Sequence, residues 1–389
     1  MTAPPARPLV EVATLFLRLG ITAFGGPAAH IAMMRSEVVQ RRKWLTDQQF
    51  LDLVGVTNLI PGPNSTEMSF HLGLERAGWR GMLVGGGLFI LPAVVIVLAL
   101  AIVYDEWGTT PSAEWILYGI KPVVIAIIVQ AVWRLGLVAV RPRPILALGG
   151  GVVLALYLLG VHELLLLFAG GLSLAGLARG PELYRWLRGR TAALVPLFAA
   201  MPLALSQAAD VARDYSHVTL GLTFLKIGAL LYGSGYVLVA FLQRDFVENL
   251  GWLTEQQLLD AVAIGQVTPG PVFTTATFVG YVTGGFPGAI IATVAIFAPG
   301  FLYVALVNPL IPRLRGNVVA GALIDGVNVA AIGLMAGVMV ELTRSGVVDA
   351  WTALVLGVGA IALFRNVNST WLIGGGAAAG VAFHAVGLA

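Results

Sequence analysis

Residues 16–63 lie over residues 224–271 without a gap, and no other feature restricts so narrowly what this chain can fold into. Seventeen of the 48 aligned positions are identical. They include Phe16/Phe224, Gly20/Gly228, Gly25/Gly233, Trp44/Trp252, Gln49/Gln257, Asp52/Asp260 and the whole of Pro61-Gly62-Pro63 over Pro269-Gly270-Pro271. One deletion moves the offset from 208 to 207 residues, and the register continues through Gly73/Gly280, Gly81/Gly288 and Pro92/Pro299. Bias toward small residues does not manufacture the match, because the matching positions of the Trp-Leu-Thr to Leu-Asp stretch include no glycine or alanine. The expected organisation is a first repeat at 9–178, a basic linker with a bridging transmembrane helix at 179–215, and a second repeat at 216–387.

Hydrophobic residues make up 58% of the 389 and charged residues 11%, which removes the chain from the soluble globular class and indicates a polytopic membrane protein. Forty-eight glycines suit helices packed closely in lipid. Cysteine is absent, so disulfides, thiolate metal sites and cysteine nucleophiles are excluded. His30, His71, His162, His217 and His384 form no HxxxH pair, and neither a metal site nor a cofactor is expected. The net charge of +3 comes from cations that punctuate apolar runs, a pattern that orients a membrane protein and offers no surface to nucleic acid. The first ten residues lack the pattern of a cleaved signal.

Within the first copy, Arg80 to Tyr104, Trp115 to Val140, Ile145 to Gly160 and Glu163 to Ala178 approach the ~17 to 25 residues that cross a ~30 Å hydrocarbon core. Val10 to Ala23, Ala28 to Gln40, Asp47 to Ile60 and Asn64 to Gly78 are shorter, and read as half-helices in two re-entrant hairpins. Their breaks are Phe24-Gly25-Gly26-Pro27 and Pro61-Gly62-Pro63, repeated as Gly233-Ser234-Gly235 and Pro269-Gly270-Pro271. With a cytoplasmic N-terminus, 15 cationic residues fall inside, three outside (Arg213, Arg244 and Arg344) and five within apolar segments, which predicts that the second copy is inverted. The fold class expected is an all-α polytopic membrane protein of two inverted-topology repeats, with re-entrant or broken half-helices meeting at the bilayer midplane.

Pro-Gly-Pro inside an apolar run forces irregular backbone at membrane depth, which a bilayer tolerates only where protein buries it or it lines a polar cavity. The helix that restarts after each break presents N–H groups and a partial positive charge, the elements of an anion site. Asn64 and Ser65 follow the first Pro-Gly-Pro and Thr274 follows the second. Arg18 and its repeat mate Lys226 place a cation within the first apolar segment of each copy, which favours an anionic cargo. Glu67, Asp52 and Asp260 are candidate carriers of a coupling proton, and Thr46-x-x-Gln49 and Thr254-x-x-Gln257 read as capping boxes. No Walker motif, HExxH or Ser-His spacing occurs, so the chain is expected not to be an enzyme.

Phe24-Gly25-Gly26-Pro27, the Trp-Leu-Thr to Leu-Asp stretches that end in Pro-Gly-Pro in both halves, and Gly73, Gly81, Gly280 and Gly288 together resemble the long, two-domain members of the chromate ion transporter family. The resemblance covers nearly the whole chain. It implies efflux of the tetrahedral dianion chromate across the cytoplasmic (inner) membrane, mimicry of sulfate, and functional roles at Arg18, at Phe24 to Pro27 and at Pro61 to Pro63. The second copy departs from the first with Tyr232-Gly233-Ser234-Gly235, and Gln266 replaces Asn58, so unequal contributions are expected. Sulfate or another oxyanion is the alternative cargo, the lipid bilayer is the surrounding partner, and the sequence leaves room for a homodimer.

Overall fold

The computed structural model describes residues 7–23, 26–57, 60–107, 111–140, 145–161, 165–177, 214–231, 237–308, 318–365, 367 and 369–385. No strand occurs among the described residues. Among the described residues four segments, Asn64–Trp107, Trp115–Arg134, Val272–Val307 and Asp325–Arg344, are long and apolar enough to cross a membrane. The protein is an all-α, multi-pass membrane protein.

Helices α1 (Pro8–Thr22) and α2 (Gly26–Arg35) are followed by a π-helical turn, Ser36–Arg41. Then come α3 (Asp47–Thr57), α4 (Asn64–Trp107), α5 (Pro111–Val140), α6 (Ile145–Leu158) and a second π-helical turn, Leu166–Gly170. The succession returns as α7 (His217–Leu230), α8 (Leu238–Leu242) with its π-helical turn Gln243–Asn249, and α9 (Glu255–Val267). It ends with α10 (Thr275–Val307), α11 (Val318–Gly346), α12 (Ala350–Phe364) and α13 (Ser369–Ala385). The bridging helix expected within 179–215 falls almost wholly outside the described residues. The expected span from Ile145 to Gly160 is shorter than its sequence suggests. Helix α6 has 14 residues, about 21 Å at ~1.5 Å per residue, and the chain turns at Gly160 with φ +83°.

Local detail repeats as well. Thr46 and Gln49 exchange hydrogen bonds of 2.9 and 3.3 Å at the start of α3, and Thr254 and Gln257 form the matching capping box on α9. Lys43 and its counterpart Gly251 both have positive φ, +52° and +65°. Neither α4 nor α10 is one straight helix. The former breaks at Ala77 (φ −140°, ψ 23°) and Gly78 (φ 63°, ψ −158°), the latter at Gly284 (−143°, 19°) and Gly285 (61°, −158°). Each short arm folds back along its long arm. Gly73 meets Gly81 and Gly280 meets Gly288 so closely that a Cβ on any of the four would strike the facing carbonyl. Thr277 and Thr293 share a 2.7 Å hydrogen bond across the second hairpin.

The two halves exchange their long helices. Helix α5 packs on α12 and α13, while α11 packs on α6 and the Leu166–Gly170 turn. The crossing points correspond: Gly119 lies against the backbone of Gly376, and Gly326 against that of Gly171. Small residues allow backbones to approach at such crossings in lipid. Helices α4 and α10 pack on one another across the halves, with Phe70 stacked on Phe301 at 3.8 Å.

Candidate functional site

Helix α3 ends at Thr57 and α4 restarts at Asn64 because two prolines in three residues cannot continue a helix. Between them Gly62 has φ +139°, and the equivalent Gly270 has φ +96°, a region that favours glycine. The N–H of Gly62 donates to the carbonyl of Leu231 at 2.7 Å, and the N–H of Gly270 donates to the carbonyl of Ala23 at 3.0 Å. Ala23 terminates α1 and Leu231 terminates α7. Each Pro-Gly-Pro turn is therefore bonded to the end of the other half's first helix, and the breaks of both halves meet. Both glycine amides donate to carbonyls, so neither is directed at a ligand in this state.

Polar side chains crowd the first of these junctions. Ser65, Thr66 and Glu67 in the opening turn of α4 are buried. Thr66 Oγ1 and both carboxyl oxygens of Glu67 have no hydrogen-bond partner among the described residues. Gly62 is packed so tightly on Glu67 that a Cβ there would collide with Oε1. His30, buried on α2, contacts Ser65 Oγ through Nδ1 at 3.2 Å and the Ala23 carbonyl through Nε2 at 3.0 Å. The second junction differs. Thr274 and Thr275 donate their hydroxyls to Pro271 and Val272, both at 2.8 Å, which turns them back on their own backbone.

The cations within the first helix of each half are paired. Arg18 meets Glu37 at 2.6 Å, and Glu37 also holds Arg41 at 2.7 Å and Arg42 at 3.4 Å. Lys226 meets Asp245 at 2.6 Å. Glu37 and Asp245 stand 208 residues apart, like Arg18 and Lys226, so the ion pair itself is duplicated. Sequence reasoning missed the two acids although the same alignment contained them. The pairs differ in exposure: the Arg18 side chain is 48% accessible and that of Lys226 is 8%.

The family described as Chromate transporter matches residues 10–177 and 218–381 of this chain. The chain belongs to the chromate transporter family. Among its relatives are a probable chromate transport protein of Synechococcus elongatus, 33% identical over 95% of this chain and 92% of that protein, and a chromate transport protein of Cupriavidus metallidurans, 32% identical over 97% and 94%. A chromate transport protein of Pseudomonas aeruginosa is 33% identical over 88% and 82%. No solved structure matches the chain. As a member of the chromate transporter family the protein is a transporter and not an enzyme.

The remaining candidate residues distribute unevenly in this chromate transporter family member. Gly26 and Pro27 open α2, while Phe24, Gly25, Gly233, Ser234 and Gly235 lie outside the described residues. Asp52 is on α3, with its side chain outside the described set, as is Asn58. Its counterpart Asp260 is buried on α9, where its carboxylate meets Lys121 of α5 at 3.3 Å and accepts the Tyr104 hydroxyl at 2.8 Å. This cluster links the two halves, and Lys121 and Tyr104 were not anticipated as its members. Asn64 is only partly buried at the first helix start, beside Pro63. A further cross-half contact joins His71 Nδ1 to Asn308 Oδ1 at 3.2 Å.

Proposed function

We propose that this chain exports chromate from the cytoplasm across the inner membrane by alternating access between two inverted halves, 9–178 and 216–387, with its N-terminus cytoplasmic. The observation that carries this reading is the reciprocal bonding of the two Pro-Gly-Pro turns to Leu231 and Ala23, which gathers both halves' breaks around one locus. The helix start at Asn64 and Ser65 supplies N–H groups and a favourable dipole for a tetrahedral dianion. Arg18 and Lys226 supply compensating charge by exchanging Glu37 and Asp245 for the cargo, and Gly25 to Pro27, Gly233 to Gly235 and the start of the Thr275–Val307 helix are further candidate contacts for it. Breaking the bonds from Gly62 and Gly270 frees those amides during the transition between faces.

Export of a dianion from a negative-inside cell is electrically downhill by nearly ~5 kcal/mol at 100 mV, at ~2.3 kcal/mol per charge. Glu67 is buried, with no hydrogen-bond partner among the described residues, and an uncompensated carboxylate there is costly. It, or the Asp260 cluster, can carry a coupling proton.

Labelled-chromate flux in proteoliposomes, with sulfate as competitor, tests the reading. Flux that responds to membrane potential and is reduced by excess sulfate is expected. Vesicles holding the protein that move chromate no faster than empty ones would overturn it.

A further inference from the structure

A continuous hydrogen-bond chain ties three breaks together. The Gly270 amide donates to the Ala23 carbonyl, His30 Nε2 reaches that same carbonyl, and His30 Nδ1 reaches the Ser65 hydroxyl at the start of α4. A carbonyl only accepts, so Nε2 carries the ring proton. In the neutral ring Nδ1 is then an acceptor, and the hydroxyl hydrogen of Ser65 is committed to it. His30 is also held edge-on to Phe89, with ring centroids 5.5 Å apart, so its orientation is fixed from a third side.

We infer that His30 is a positioning residue that couples anion binding to the uptake of a proton, by reversing the hydrogen bond it shares with Ser65. A proton on Nδ1 turns that nitrogen into a donor. Ser65 Oγ must then accept from the ring, and its own hydrogen is released toward the helix start, where the oxyanion gains a hydroxyl donor. The imidazolium also adds positive charge beside a dianion. Proton and anion favour one another's binding by the same factor. Two observations in the same turn point to a ligand there: Thr66 Oγ1 and the Glu67 carboxyl are fully buried and have no hydrogen-bond partner among the described residues.

On the elements packed against α2, Glu75, Arg80, Asp105 and Glu106 of α4 are exposed, and most of the other charged groups are engaged. On α1, Glu11 holds Arg76 of α4 at 2.6 Å and Arg18 holds Glu37. In the π-helical turn, Arg41 and Arg42 also hold Glu37. On α4, His71 contacts Asn308, which leaves Glu67 as the competing site for a proton. The second copy has Leu238 and Phe273 where His30 and Ser65 stand, so the device belongs to the first half alone.

This inference rests on the oxyanion site proposed above, and its test separates the two. Purified protein in weakly buffered detergent solution at about pH 8, where chromate is the dianion, is titrated with chromate while a pH indicator records protons taken up and a separate binding assay records occupancy. Wild type is expected to take up a measurable fraction of a proton per chromate bound, since burial opposes full protonation of the ring. His30→Gln, which keeps a donor for Ala23 and an acceptor for Ser65, is expected to bind several-fold more weakly with no uptake. Ser65→Ala is expected to lose most of the coupling. Chromate binding by wild type without proton uptake, or equal uptake in His30→Gln, overturns the inference. Uptake abolished by Glu67→Gln but kept in His30→Gln overturns it in favour of the carboxyl group. Wild type that binds no chromate at all overturns the oxyanion site itself.

Discussion

Arg18 and Lys226 show how one duplicated ion pair acquires two energetic roles. The Lys226–Asp245 pair is buried at both ends, so removing the cation strands a carboxylate away from water, a loss of about 3–5 kcal/mol for such pairs. Lys226→Met is expected to lower thermal stability in detergent markedly, and adding Asp245→Asn to recover much of it. Failure of the second substitution to recover any stability would mean that Lys226 acts through something other than Asp245. Arg18 is half exposed, and Glu37 keeps Arg41 and Arg42 when it is lost, so Arg18→Ala is expected to cost only about 0–1 kcal/mol. The same variant is expected to abolish chromate flux while remaining inserted, and wild-type flux would remove Arg18 from the substrate path. The cations were legible because a charge inside an apolar run is conspicuous. Their acids were not, because Glu37 and Asp245 lie in stretches polar enough to pass as surface. His30 escaped for a different reason: nothing within its own segment announces the Ser65 hydroxyl 35 residues away.

At the scale of elements, the chain's irregularities are what it reproduces most closely. The kinks at Ala77-Gly78 and Gly284-Gly285 agree to within a few degrees, although only one residue type, glycine, is common to the two pairs. The Pro-Gly-Pro turns and the capping boxes could be read from the residues, since proline, glycine and Thr-x-x-Gln each act locally. The packing of each short arm on its long arm could not, because it depends on glycines eight residues apart facing each other across a reversal rather than along a helix. Gly62 is the most demanding of these positions, with positive φ and Glu67 against its Hα. Gly62→Val is expected to destabilise the break by more than ~1 kcal/mol and to block transport. Gly270→Ala is the milder probe, since its nearest neighbour would be the Ala93 methyl at 3.1 Å. Normal chromate flux in Gly62→Val vesicles would reduce the turn to a kink without a binding role.

The whole molecule is held by exchange: α5 completes the second half, α11 completes the first, and the paired breaks bond across the junction. Such an arrangement lets one half rock against the other only if the shared junction can release, and it makes the orientation of the halves the decisive property for alternating access. The absence of cysteine allows a direct measurement of that orientation. Lys43 and Gly251 occupy the same turn of each repeat, just before the Trp-Leu-Thr capping box, and both are exposed. Single cysteines at the two positions are expected to react with a membrane-impermeant maleimide from opposite faces. Lys43→Cys should label only from the cytoplasmic side, in inside-out vesicles, and Gly251→Cys only in intact spheroplasts. The positive-inside count predicts this result, because the first turn carries Arg41 and Arg42 while the second carries Asn249 and Leu250 at the matching places. Labelling of both cysteines from one face would make the halves parallel, and the rocking of mirrored units about a common oxyanion site would then have no structural basis.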